Sequence, residues 1–158
     1  MSRSWTTGRG FSREGPSHCH GGLDGAFDAA FIVGQHAMAG TERAHLSHTE
    51  SHTSIQNVWM NGRKIGELGI VAAVAGHFNV PTVFVTGDRA ACTEAKSIIP
   101  QVEAAVVKEG IGHGAAISMT PNEARRLIRE GAGSALAKIG AIKPYKIQPP
   151  VELKIEFT

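Results

Sequence analysis

Three short segments of strand character, the first two largely apolar, constrain this chain more than any other feature. Ala29-Ala30-Phe31-Ile32-Val33, Thr82-Val83-Phe84-Val85-Thr86 and Val102 to Lys108 are each of strand length, and glycine closes the first two. Runs of this kind suit strands buried on both faces of a sheet. Helical segments lie between and after them. Glu67 to Phe78 has helical content and stops at Asn79 before Pro81. Arg89 to Ile99 reads as a helix with Asp88 as its N-cap and Pro100 as its stop. Thr120-Pro121-Asn122-Glu123 is a capping box with proline at the first helical position, opening a helix from Pro121 to about Ile139. The alternation predicts an α/β fold: a three-layer arrangement with a parallel or mixed sheet and flanking helices, incomplete at its N-terminal part.

Two further strand signals complete the pattern. Val58-Trp59-Met60, Asn61-Gly62 and Arg63-Lys64-Ile65 form a hairpin signature, because Asn-Gly accepts the positive φ angles of a type I′ turn. Val151 to Phe157 alternates apolar and polar residues, as an edge strand would. His36 to Thr53, rich in His, Ser and Thr, reads as a loop. Ser2 to Gly22 shows no hydrophobic period, so residues 1–22 are expected to be an irregular leader and 23–158 the folded domain.

Composition removes several function classes. No apolar run approaches the ~18 residues of a membrane span, and Met1 to Gly15 lacks the apolar core of a signal peptide. Sixteen basic against fourteen acidic residues leave a net charge of +2. That bias is too weak to imply nucleic acid or an anionic membrane. Cys19 and Cys92, only two and far apart, argue against a disulfide framework, and a reducing cytoplasm is expected.

The eight histidines carry the chemical interest. His36, His45, His48, His52 and Glu67 are the candidate cluster: His36 directly follows a strand, where α/β proteins place ligands, and Glu67 opens a helix after a hairpin. Imidazole and carboxylate are the usual ligands of a catalytic zinc. The spacings match no HExxH or cysteine-based motif. The plainer reading places His45 and His52 in solvent, makes His18 and His20 incidental, and leaves His77 as a helix-end charge. His113 falls in a glycine-rich loop, and Glu67 could equally serve as a helix-capping carboxylate. Gly110-Ile111-Gly112-His113-Gly114 lacks the Lys-Ser/Thr of a phosphate loop and reads as a flexible loop. Cys92 reads as buried packing, and Arg125-Arg126 with Lys143 and Lys146 as solvated faces.

Several separate motifs then occur in one order. Phe31-Ile32-Val33-Gly34-Gln35-His36-Ala37, Leu46-Ser47-His48-Thr49, and Asn61-Gly62-Arg63-Lys64-Ile65-Gly66-Glu67-Leu68-Gly69 are followed by Val85-Thr86-Gly87-Asp88, Val107-Lys108-Glu109-Gly110-Ile111 and Lys154-Ile155-Glu156-Phe157. From about Gly22 to Phe157 the chain resembles the M55 metallopeptidases, the zinc D-aminopeptidases. The resemblance implies an α/β fold, assembly into large homo-oligomeric rings, and removal of N-terminal residues, preferentially D-amino acids, from short peptides at a two-zinc centre. It implies that His36 ligates one metal and Glu67 the other, and that His48, rather than His45, is the catalytic group. Gln35 stands where the family usually has Tyr, which implies altered packing rather than altered ligation.

Two family motifs have no counterpart here: an opening Asp-x-Glu-Gly strand and a later Asp-Ser-His turn. Ser17-His18-Cys19-His20 lies too near Gly22-Leu23-Asp24 to replace the second. The chain is therefore expected to be the central and C-proximal part of such a protein. With only His36 and Glu67 as ligands, weak zinc binding and little peptidase activity are expected of it alone. The alternative is a non-catalytic fragment or pseudoenzyme that keeps the fold and oligomer interfaces.

Overall fold

The computed structural model describes residues 23–158, so the expected leader, with His18, Cys19 and His20, lies outside the described residues. Ten elements follow in order: β1 (Ala30–Gln35), β2 (Ile55–Met60), β3 (Arg63–Lys64), α1 (Glu67–His77), β4 (Thr82–Asp88), α2 (Arg89–Ile98), β5 (Glu103–Gly112), β6 (Ala115–Ser118), α3 (Pro121–Ala137) and β7 (Leu153–Phe157). The expected α/β class holds. A mixed sheet runs β1-β4-β5-β6, with β1, β4 and β5 parallel and β6 antiparallel to β5.

β4 is the centre of the molecule, and all seven of its residues are buried. Its apolar run has a strand on each side, and the helices flank it, so no position along it needs a polar side chain. Phe84, fully buried, meets the ring of Phe31 edge to face at 5.4 Å between centroids. It also takes the weight of α3: a Cβ on Gly131 would stand 2.7 Å from the Phe84 ring, so only glycine lets the helix come this close. α1 and α2 add Leu68, Ala72, Ala95 and Ile98 to the same core.

Both predicted side-chain caps are in place. Asp88 accepts the amide of Ala91 at the start of α2, and Thr120 accepts that of Glu123 at the start of α3. Asn61 and Gly62 carry φ of 50° and 77°, as the hairpin turn requires.

Two expectations are corrected. β1 is not buried on both faces: Val33 is 65% exposed, because among the described residues β1 pairs only with β4, and α3 reaches β4 and β5 without covering it. The hairpin and the last strand form as expected, the last strand at an edge. They form a second, antiparallel sheet of order β3-β2-β7, in which Ile155 faces Val58 and Lys154 faces Trp59. Gly110 to Gly114 is no flexible loop, since Gly110 pairs with Ala116 and Gly112 with Ala115 across a tight turn into β6. The glycine at 110 has a packing reason instead: its Cβ would lie 2.2 Å from the Arg43 carbonyl oxygen.

Candidate metal centre

β1 ends at Gln35, and the parallel pairing with β4 brings that end beside the start of α2. The chain then turns into the loop that carries His36 and His48, while α1 begins at Glu67 beneath it. One ligand atom from each of His36, His48 and Glu67 lies within 4.8 Å of the others. His36 Nε2 is 2.7 Å from Glu67 Oε2, and His48 Nε2 is 3.7 Å from Glu67 Oε1. The two imidazoles stack, with centroids 3.9 Å apart and planes 20° from parallel.

Hydrogen bonds decide which ring nitrogen carries the proton. His36 Nδ1 lies 3.1 Å from the Ala37 carbonyl oxygen, and His48 Nδ1 lies 2.7 Å from that of Leu46. A carbonyl only accepts, so each Nδ1 is the protonated nitrogen and donates. In the neutral imidazoles both Nε2 lone pairs then point at an anion. Glu67 Oε1 accepts the Glu50 amide at 2.9 Å, but Oε2 is buried with no properly aligned donor despite the short contact to His36. Acceptors crowded in this way need either an added proton or a cation between them. Without a cation, the Glu67 carboxylate raises the pKa of His36 against the opposing effect of burial. Burial pushes the Glu67 carboxyl up, but His36, His48 and the Glu50 amide outweigh it and hold it below its usual value. Two imidazole nitrogens with free lone pairs and one carboxylate with an orphaned oxygen fit a zinc ion in donor type and in protonation.

The other candidates fall elsewhere. His52 is exposed and meets His48 edge-on at 6.4 Å, outside the ligand cluster. His45 is not simply solvated, as expected from the sequence. Its backbone amide donates to Asp88 Oδ2 at 2.8 Å, and its Nδ1 is buried. His77 and His113 are exposed. Arg126 pairs with Glu123 and Glu130 on the outer surface of α3, and Cys92 is buried, both as expected. Glu67 does not cap α1; its carboxylate is turned into the cluster instead.

One residue near the site escapes sequence reasoning. Glu94, on α2, is only 7% exposed and accepts the Met38 amide at 2.8 Å through Oε2. The available signal was its place on the helix: Ala91, Ala95 and Ile98 share its face and are all buried.

The chain is similar to known proteins in both sequence and fold. The M55 peptidase family model, described as D-aminopeptidase, matches residues 10–158. A D-aminopeptidase of Bacillus subtilis (strain 168) is 38% identical over 136 residues, covering 86% of this chain and 49% of the relative. The solved structure of the zinc-dependent D-aminopeptidase DppA from Bacillus subtilis, described as a self-compartmentalizing protease, superposes with a TM-score of 0.83 at 36% identity. That match covers 87% of this chain and 49% of the other. The chain thus spans about half the length of these relatives. With a family match over nearly its whole length and the same fold at this identity, the chain belongs to the M55 D-aminopeptidase family.

Proposed function

We propose that this site is the zinc centre of an aminopeptidase that releases N-terminal, D-configured amino acids from short peptides. The observation that carries the proposal is the pair of Nε2 lone pairs aimed at the Glu67 carboxylate. His36 and Glu67 hold the metal. With these two ligands alone, zinc binding by this chain is expected to be weak; His48 Nε2 lies beside them and is left free for the proton. When bound, zinc supplies a water whose pKa falls toward ~7 and a Lewis acid for the scissile carbonyl.

The protein's own residues do the rest. His48, with Nδ1–H tied to the Leu46 carbonyl, keeps Nε2 free as a base. It takes the proton from the attacking water as the new C–O bond forms, then passes it to the peptide nitrogen as the C–N bond breaks. The Glu50 amide fixes the Glu67 carboxylate so that it does not swing away. The D-configured substrate and assembly with further copies are supported by the D-aminopeptidase name and self-compartmentalizing description of the relatives. No helix among the described residues is long and apolar enough to cross a membrane, and a cytoplasmic location is proposed with it.

The test is zinc content after dialysis, together with release of D-alanine from a dipeptide that begins with it. The wild-type chain should retain more zinc and release more D-alanine than His36→Ala and Glu67→Ala. His48→Ala should slow hydrolysis by ~10²–10⁴-fold while losing less zinc than His36→Ala. Wild-type zinc content no higher than that of His36→Ala, or unimpaired hydrolysis by His48→Ala, refutes the proposal.

A further inference from the structure

A carboxylate buried on the core face of a helix is costly unless something demands it. Glu94 is such a group, and neither the fold nor the chemistry proposed above uses it. Its Oε2 accepts the amide of Met38, a residue 56 positions away in sequence and two beyond His36. Its Oε1 is buried without a donor. That oxygen sits against Gly66: a Cβ built there would be 2.7 Å from Glu94 Oε1, 2.7 Å from the Met38 Cβ and 3.2 Å from the Met38 Cα. Gly66 immediately precedes Glu67 and is the N-cap of α1, where no side chain supplies a cap. Three segments therefore meet at one point behind the site. One carries His36, one carries Glu67, and α2 contributes the carboxylate between them.

We infer that Glu94 is a positioning residue of the metal centre, clamping the His36 segment to the Glu67 segment so that their ligand atoms stay side by side. The inference rests on the zinc reading proposed above. The close approach at Gly66 makes the clamp intolerant of a side chain there, and the single hydrogen bond to Met38 sets the direction of the chain as it leaves His36. Groups that orient metal ligands from behind in this way commonly change metal affinity ten- to a hundredfold when removed.

The experiment measures zinc affinity of the full chain by competition with a chromophoric chelator, alongside thermal unfolding of the metal-free protein. Glu94→Ala should weaken zinc binding about ten- to a hundredfold. Glu94→Gln keeps an oxygen for the Met38 amide and should stay within about threefold of wild type. A merely structural role would move the metal-free melting temperature and leave the affinity of the folded protein unchanged. If Glu94→Ala does not fold, Gly66→Ala carries the test, because its Cβ would force Glu94 and Met38 apart, and a comparable loss of affinity is expected. Wild-type affinity in a folded Glu94→Ala or Gly66→Ala variant overturns the inference while the zinc centre stands. If wild type itself takes up zinc no better than His36→Ala, the zinc reading and this inference fall together.

Discussion

Asp88 offers the sharpest stability prediction, because one buried carboxylate serves two backbone donors from different parts of the fold. It is 4% exposed. Its Oδ1 accepts the Ala91 amide at 2.8 Å and caps α2, while Oδ2 accepts the His45 amide, also at 2.8 Å, and ties down the loop that carries His48. Asp88→Ala removes both. Losing the cap costs about 1 kcal/mol, and leaving the His45 amide without a partner costs about 1–3 kcal/mol more. The sum is about 2–4 kcal/mol. In a chain of this size each kcal/mol moves the melting temperature by about 2–4 °C, so a fall of about 4–16 °C is expected. Asp88→Asn separates the two contributions. Asparagine caps helices as well as aspartate does but has one carbonyl oxygen for two donors, so it should lose the His45 bond alone, about 1–3 kcal/mol. Thermal unfolding followed by circular dichroism at a helix wavelength reads both variants. A melting temperature for Asp88→Ala within 1 °C (about the precision of the method) of wild type would refute the double role, as would an Asp88→Asn loss equal to that of alanine.

Two further outcomes follow from burial. Burial pushes the Cys92 thiol up to about 11, so only about 0.1% is thiolate at pH 8. In a Cys19→Ser background the native protein should resist a disulfide-exchange reagent at that pH and react on denaturation, and labelling as fast as free cysteine would count against it. Glu94 is raised above the ordinary glutamate value by burial, with the Met38 amide and the charge of His36 acting the other way. Folding therefore favours its neutral form. That contribution is complete below the unfolded pKa and disappears as pH rises through the folded one. Metal-free Glu94→Gln should accordingly melt above wild type at pH 8 and level with it near pH 4, and a lower melting temperature at pH 8 would contradict the argument.

Local signals sufficed wherever structure depends on neighbours in sequence. The Asp88 and Thr120 caps, the Asn61-Gly62 turn and the strand nature of Thr82 to Thr86 follow from residue type and spacing, because a cap or a tight turn is built within four residues. The same locality explains why the order of motifs around His36, His48 and Glu67 was enough to place the chain in its family. What stayed hidden depends on contacts between distant segments. An apolar run has the same composition whether its strand lies at the centre, like β4, or at an edge, like β1, where Val33 is 65% exposed. Gly110 to Gly114 looks like any glycine-rich loop until its backbone is seen against Arg43. Glu94 looks like a surface glutamate until Met38, 56 residues away, donates to it. Chain order supplies the donor types of the cluster, but only the folded backbone brings a strand end, a loop and a helix start together and turns two imidazole lone pairs onto one carboxylate.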